Sequence, residues 1–171
     1  MTEDRIFSFI SDTPLGKIYA AAGSGSLIGL WFIGQKYFPI STDAWIENSD
    51  YSVFKSLGIW LDAYFSGKKP KTNFSLSPRG TNFQKAVWNI LLEIPYGKTT
   101  SYGAITAKLI SAGIKASAQA VGGAVGHNPI SLIIPCHRVL GADGSLTGYA
   151  GGLEKKQALL ELECPSAGLP Y

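Results

Sequence analysis

The chain has 171 residues, 46% of them hydrophobic and only 16% charged, with a formal net charge of +3. Such a length buries a real core in one domain or two small ones. The composition excludes a largely disordered protein, and the mild basic excess permits nucleic acid without demanding it.

Taken in chain order, "RIFSFISD", "GKIYAAAG" and "SLIGLWFIG" over residues 5–33 alternate in short apolar segments, with "TPLG" and "GSGS" between them. This pattern predicts strands joined by tight turns, an antiparallel meander. Neither "MTEDRIFSF" at the start nor the apolar runs "LIGLWFI" and "ISLIIP" fits a secretory signal or a bilayer span. A cytoplasmic location and no membrane contact are therefore expected. Over residues 50–66 the period changes to that of a helix, with Phe54, Leu57, Leu61, Tyr64 and Phe65 on one face and Gly58 marking a close approach. "GKKPKTN" reads as a solvated linker and "FSLSPRG" as a short extended piece. The expected domains are 1–78, a small α/β unit with antiparallel strands, and 79–171.

The second half opens with Thr81 and Gln84 spaced as a capping box. Phe83, Val87, Ile90, Leu91 and Ile94 form the inward stripe of that helix. Ser101 is the cap of a second helix, with Ile105, Leu109 and Ile110 facing inward and Gly113 closing it. Ser117 caps a third, "AQAVGGAVG", built almost wholly from small residues. Two short helices around a glycine-containing turn suggest a helix-turn-helix. The small residues carry a helix-propensity cost. Either they pack tightly against another helix, or they keep the helix slim enough for a groove about 6 Å wide, as the DNA minor groove is. In the closing helix, "GGLEKKQALLELE", Leu153, Lys156, Gln157 and Leu160 share one side, and "CPSAGLPY" follows as a tail.

The chemistry concentrates in "NPISLIIPCHRVLGADGSLTGYAGG", residues 128–152. Cys136 ends a run expected to be a buried strand, and His137 and Arg138 follow it. With two cysteines and two histidines in the chain, a closed zinc site is out of reach. A disulfide to Cys164 fits poorly with a reducing compartment. A buried inert thiol and a nucleophile remain as equal readings. For the nucleophile, a neighbouring His or Arg favours the thiolate, and His137 needs an orienting carboxylate, for which Glu163 is the late-chain candidate.

"IIPCHRV" resembles the alkyl-acceptor motif of the O6-alkylguanine-DNA alkyltransferases, the methylated-DNA–protein-cysteine methyltransferases. "GTNFQKAVWNILLEIPYGKTTSYG", "AVGGAVGHNPISLIIPCHRVLGADGSLTGYAGG" and "KKQALLELE" resemble family segments in family order, across most of residues 80–163. The resemblance implies an α+β fold: a small ribonuclease-H-like α/β N-terminal domain and a mostly helical C-terminal domain with a modified winged helix-turn-helix. It implies repair of O6-methylguanine, and less efficiently O4-methylthymine, by direct, irreversible, stoichiometric transfer of the alkyl group to Cys136. The partner implied is double-stranded DNA, entered through the minor groove with the damaged base flipped out. No cofactor, metal or obligate protein partner is implied.

The same resemblance implies residue roles. Cys136 is the acceptor, His137 draws its proton away through a water, and Glu163 polarises His137. Asn128 braces the turn before the acceptor. Tyr102 steers the target phosphate and hydrogen-bonds the flipped base. Tyr149 covers that base, with Ala150 and Gly151 in the pocket loop, and the Cys136 and Val139 carbonyls face the guanine amine. Gln119, Ala120 and Gly123 present the slim helix to DNA, and Arg138 ties loop to helix beside that surface. Two departures stand out. Gln119 occupies the place where relatives carry an arginine that fills the vacated stack, and Ala150 stands where some relatives carry a serine. The rival readings are a cysteine hydrolase using Cys136 and His137, and a lesion sensor without catalysis.

Overall fold

The structure, a computed structural model, describes residues 5–165; the tail beyond Pro165 lies outside them. The chain divides into two compact units, Met1–Arg79 and Gly80–Tyr171.

In the first unit, β1 (Phe7–Thr13), β2 (Gly16–Gly23) and β3 (Ser26–Phe32) form the expected antiparallel meander. Short parallel edges, β4 (Ile46–Glu47) beside β1 and β5 (Ser75–Leu76) beside β3, extend it to five strands. The pleat sends Phe9, Ala20 and Leu30 to one face, where Phe9 stacks on Phe54 of α1 (Ser52–Phe65) with ring centroids 5.5 Å apart. Leu57, Leu61, Tyr64 and Phe32 complete that core, each contributing about 1.5–3 kcal/mol through burial. Tyr19 and Trp31 point to the other face and stack with Trp45 and Phe38. The Trp31 ring lies over Gly29 at 1.8 Å from where a β-carbon would stand, so only glycine fits there.

Two expectations for α1 are corrected. Gly58 marks no close approach: a β-carbon there would meet nothing within 4 Å, because the residue opens onto a shallow groove bounded by Pro14, Leu61 and Phe65. Phe65 is half-buried rather than central, and Val53 and Trp60 join the core instead. The helix stops in a Schellman motif: Gly67 at φ 81° lets its N–H reach the Tyr64 carbonyl, and Lys68 reaches Ala63.

The second unit is helical. The capping box at Thr81 and Gln84 starts α2 (Asn82–Leu92), with both reciprocal bonds formed. Ser101 and Ser117 cap α3 (Tyr102–Ser111) and α4 (Ala118–Gly126) through their hydroxyls. A second Schellman motif ends α3, with Ile114 N–H on Leu109 O and Gly113 N–H on Ile110 O. Trp88, missing from the expected stripe of α2, is fully buried and donates its indole N–H to Ala124 O at 2.8 Å, pinning α2 to α4. Phe83 and Ile90 are only half-buried. Ile110, expected to face inward, is 57% exposed, since Ile105 and Leu109 fill the contact. A two-residue parallel ladder, β6 (Thr100–Ser101) with β7 (Val139–Leu140), flanks the helix-turn-helix. The closing helix, α5 (Leu153–Glu163), buries Lys156, Leu159, Leu160 and Glu163, while Leu153 turns outward.

Candidate active site

The run "SLIIP" is not a strand. Residues 130–140 are all buried, yet they turn repeatedly, and Leu132 adopts φ 71°, a left-handed conformation that costs a side-chain-bearing residue about 1 kcal/mol or more. Asn128 over-determines this turn. Its Nδ2 donates to Ile134 O at 2.7 Å and to Ile130 O at 3.3 Å, and its Oδ1 accepts from Ile130 N–H at 3.0 Å. Alternating apolar residues cannot show this conformation in advance, because one polar side chain outside the run dictates it. Pro135, at φ −82° and ψ 66°, then makes an inverse γ-turn, with Cys136 N–H on Ile134 O at 2.8 Å. Cys136, His137 and Arg138 form a single 3-10 turn from there.

That turn delivers three side chains into the interior. His137 is 0% exposed, and its Nε2 meets Glu163 Oε2 at 2.5 Å. A carboxylate can only accept, so Nε2 carries the hydrogen and Nδ1 is left with the lone pair. Nδ1 has no hydrogen-bond partner among the described protein atoms. Arg138 donates from Nε to Glu163 Oε1 at 2.7 Å and from Nη1 to Ile94 O at 2.7 Å, with its guanidinium 5.8 Å from the Tyr96 ring centre. It acts as the tie between loop and helices. Its buried donors are engaged inside the protein, which corrects the expectation that it also belongs to the DNA-facing surface. Gly97, in the turn after α2, adds its N–H to Glu163 Oε1 at 3.3 Å. Its φ of 77° and the Glu163 carbonyl, 3.2 Å from where a β-carbon would stand, keep that position for glycine.

Charge follows from this geometry. Burial alone would raise the Glu163 carboxyl, but hydrogen bonds and charge from His137 and then Arg138 outweigh it and bring its pKa down to about 2. Burial pulls the His137 imidazole below its ordinary value, with Glu163 opposing, so the ring is a neutral base at neutral pH. Burial pushes the Cys136 thiol up, countered by the Asn128 hydrogen bond and the Lys156 charge. The resting acceptor is therefore a protonated thiol beside a neutral imidazole, the pairing that holds a nucleophile in reserve until a substrate arrives.

Lys156 was missed as a functional residue. Its Nζ donates to Thr147 O at 2.7 Å and Gly148 O at 3.3 Å, and burial lowers its pKa to about 8, with the Cys136 charge opposing. The signal was present: a lysine on the apolar side of a helix needs buried acceptors. These bonds hold the 145–152 loop, where Ala150 and Gly151 are partly exposed and the Tyr149 hydroxyl is buried without a partner. Burial holds the Tyr149 phenol well above its usual range, and the Cys136 and Glu163 charges add to this. Tyr102, half-buried at the start of α3, accepts from Thr147 at 3.2 Å. The Cys136 carbonyl receives the Val139 N–H, and Val139 itself is fully buried.

On α4, Gln119, Ala120 and Gly123 are exposed. A β-carbon on Gly123 would meet nothing within 4 Å, and one on Gly122 would touch only the Tyr102 ring at 3.9 Å, an ordinary contact. Packing inside the protein does not call for these glycines. Cys164 ends α5 as a free thiol, as Cys136 is. Among the described residues no cluster of three or more metal-ligating side chains occurs, and no helix is long and apolar enough to cross a membrane.

Known proteins share this arrangement. The DNA-binding domain of 6-O-methylguanine DNA methyltransferase matches residues 82–164, and the ribonuclease-like domain of the same proteins matches residues 6–78. A methylated-DNA–protein-cysteine methyltransferase of Methanosarcina barkeri is 47% identical over 155 residues, spanning 90% of this chain and 94% of its own length. The Mycobacterium bovis protein of that name is 46% identical over 152 residues, 89% of this chain and 88% of its own. A crystal structure of Mycobacterium tuberculosis OGT in complex with DNA superposes with a TM-score of 0.82 at 44% identity, covering 94% of each chain. Both domains, the order of elements and the extent of identity agree, and the chain belongs to the methylated-DNA–protein-cysteine methyltransferase family.

Proposed function

We propose that this chain repairs DNA by taking the alkyl group of O6-methylguanine, and less efficiently of O4-methylthymine, onto Cys136. The observation that carries this is the buried array beside the acceptor: Nε2–H of His137 on the Glu163 carboxylate, with the Nδ1 lone pair unpartnered on the Cys136 side of the chain. A water between Cys136 and Nδ1 passes the thiol proton to His137, which Glu163 stabilises as it becomes charged. The Sγ–C bond forms as the C–O6 bond breaks. Guanine leaves as its anion and recovers one proton, and the Tyr102 hydroxyl is placed to hydrogen-bond it. The thioether has no route back, so each molecule acts once.

The alkylated base pairs poorly, which lowers the cost of flipping it. Tyr149 covers the flipped base, and the exposed small residues of α4 enter the minor groove with Gln119 at the vacated stack. The glycines on that face, which no internal contact requires, support this placement. Because a thiol acceptor must stay reduced, the reaction belongs in a cytoplasmic compartment.

Intact-mass measurement after incubation with duplex DNA carrying O6-methylguanine tests the proposal. One methyl per protein is expected, absent in Cys136→Ala. Substrate turnover with unmodified protein would overturn it in favour of hydrolysis.

A further inference from the structure

We infer that Thr147 is a specificity-determining residue, whose hydroxyl ties two walls of the pocket together and limits the size of alkyl group that reaches Cys136. The inference rests on the alkyl-transfer reading above. Thr147 lies in the loop between β7 and α5 and is held at three points. Its Oγ1 donates to the Tyr102 hydroxyl at 3.2 Å, joining the loop to the first residue of α3 across 45 positions of sequence. Its carbonyl accepts from Lys156 Nζ at 2.7 Å. Its methyl group lies 3.3 Å from where a β-carbon on Gly141 would stand, so it packs down onto the turn below.

These contacts divide the work. Lys156 fixes the loop backbone at both Thr147 and Gly148, and this persists whatever the Thr147 side chain is. The hydroxyl alone bridges to Tyr102. Tyr149, two residues further on, has its own hydroxyl buried, so the wall that Thr147 fastens is the one carrying the ring proposed to cover the base. A methyl group needs little room between these walls. A longer alkyl chain has to part them, and the hydroxyl–hydroxyl bond resists this. Accepting from Thr147 also leaves the Tyr102 hydrogen available to the base. The chain is thus built to favour methyl over longer chains, with the preference set at a residue that touches neither the sulfur nor its proton relay.

The test is single-turnover alkylation, read by intact mass, with duplexes carrying O6-methylguanine, O6-ethylguanine or O6-butylguanine. Thr147→Val keeps the shape and removes the donor. Its butyl-to-methyl rate ratio is expected to rise about fivefold, the factor one neutral hydrogen bond supports. Thr147→Ser keeps the donor with less bulk and is expected to stay within about twofold of the unaltered chain on the same scale. An unchanged ratio in Thr147→Val overturns the inference. So does an equal rise in Thr147→Ser, which would assign the effect to packing of the methyl group. Failure of the unaltered chain to accept methyl at all would strike the alkyl-transfer reading instead.

Discussion

The buried array around Glu163 and the exposed face of α4 are opposite solutions to making a site. Glu163 receives His137, Arg138 and the Gly97 N–H within 3.3 Å, drawn from three separate segments of the chain. Gln119, Ala120 and Gly123 stand exposed, and a β-carbon on Gly123 would find nothing to touch. The first is specified by the protein itself, and the second by whatever the protein meets. Changes to the array should therefore move stability and chemistry together, whereas changes to the α4 face should move DNA affinity and leave stability alone.

The largest expected effect comes from Glu163→Ala. It strands Arg138 and the His137 N–H without an acceptor in the interior, and loss of one partner from a buried charged set costs about 3–5 kcal/mol. Denaturant unfolding measures this, and methyl transfer should be lost with it. Glu163→Gln keeps the shape and one acceptor but removes the charge that supports a protonated His137. Its stability loss should be smaller while the transfer rate falls roughly a hundredfold, the scale of general-base catalysis. If Glu163→Gln transferred at the normal rate, the relay would be wrong.

Acid probes the same array. Glu163 has a folded pKa of about 2 against an ordinary 4.5, so the unfolded chain binds more protons between those values. Stability from this group is complete above about 4.5 and is lost as pH falls towards about 2. Unfolding followed across that window should show a steeper loss in the unaltered chain than in Glu163→Gln, which has no carboxyl there to titrate. Equal slopes would mean that the carboxylate contributes nothing to the fold. A smaller effect is expected for Asn128→Ala. Removing three hydrogen bonds from the Leu132 turn costs about 1–3 kcal/mol, and the rate should fall because Cys136 loses both its setting and the Asn128 hydrogen bond that favours its thiolate.

The two regions also differ in how much the sequence reveals. Caps and turns are local chemistry, and Thr81, Gln84, Ser101, Ser117 and the meander were all legible from neighbours a few residues apart. So was the slimness of α4, since its glycines and alanines are consecutive. The conformation of 130–135 was not. An apolar run is ambiguous by itself, and this one is shaped by Asn128 before it and by a positive φ at Leu132 that a leucine does not advertise. Lys156 and Thr147 were passed over for a related reason. Their roles lie in what they touch across 8 to 45 positions, and only the assembled loop makes those contacts. Gly58 erred the other way: a glycine in a helix suggests close packing, but here it lines open space.

The smallest expected effects are at Gln119, and they test the exposed half of the contrast most directly. It is the second residue of α4 and exposed, so Gln119→Ala removes no internal contact and should leave the unfolding curve where it was. If its amide fills the stack beside a flipped base, affinity for lesion-bearing duplex should fall about threefold, with the transfer rate following, as for one modest hydrogen bond. Gln119→Arg restores a cation at that place. It should tighten binding and steepen the dependence of log affinity on log salt by about 0.9, the signature of one added phosphate contact. An unchanged affinity and rate in Gln119→Ala would remove this residue from the stack. A tighter but salt-independent Gln119→Arg would show that bulk, rather than charge, is what the glutamine lacks.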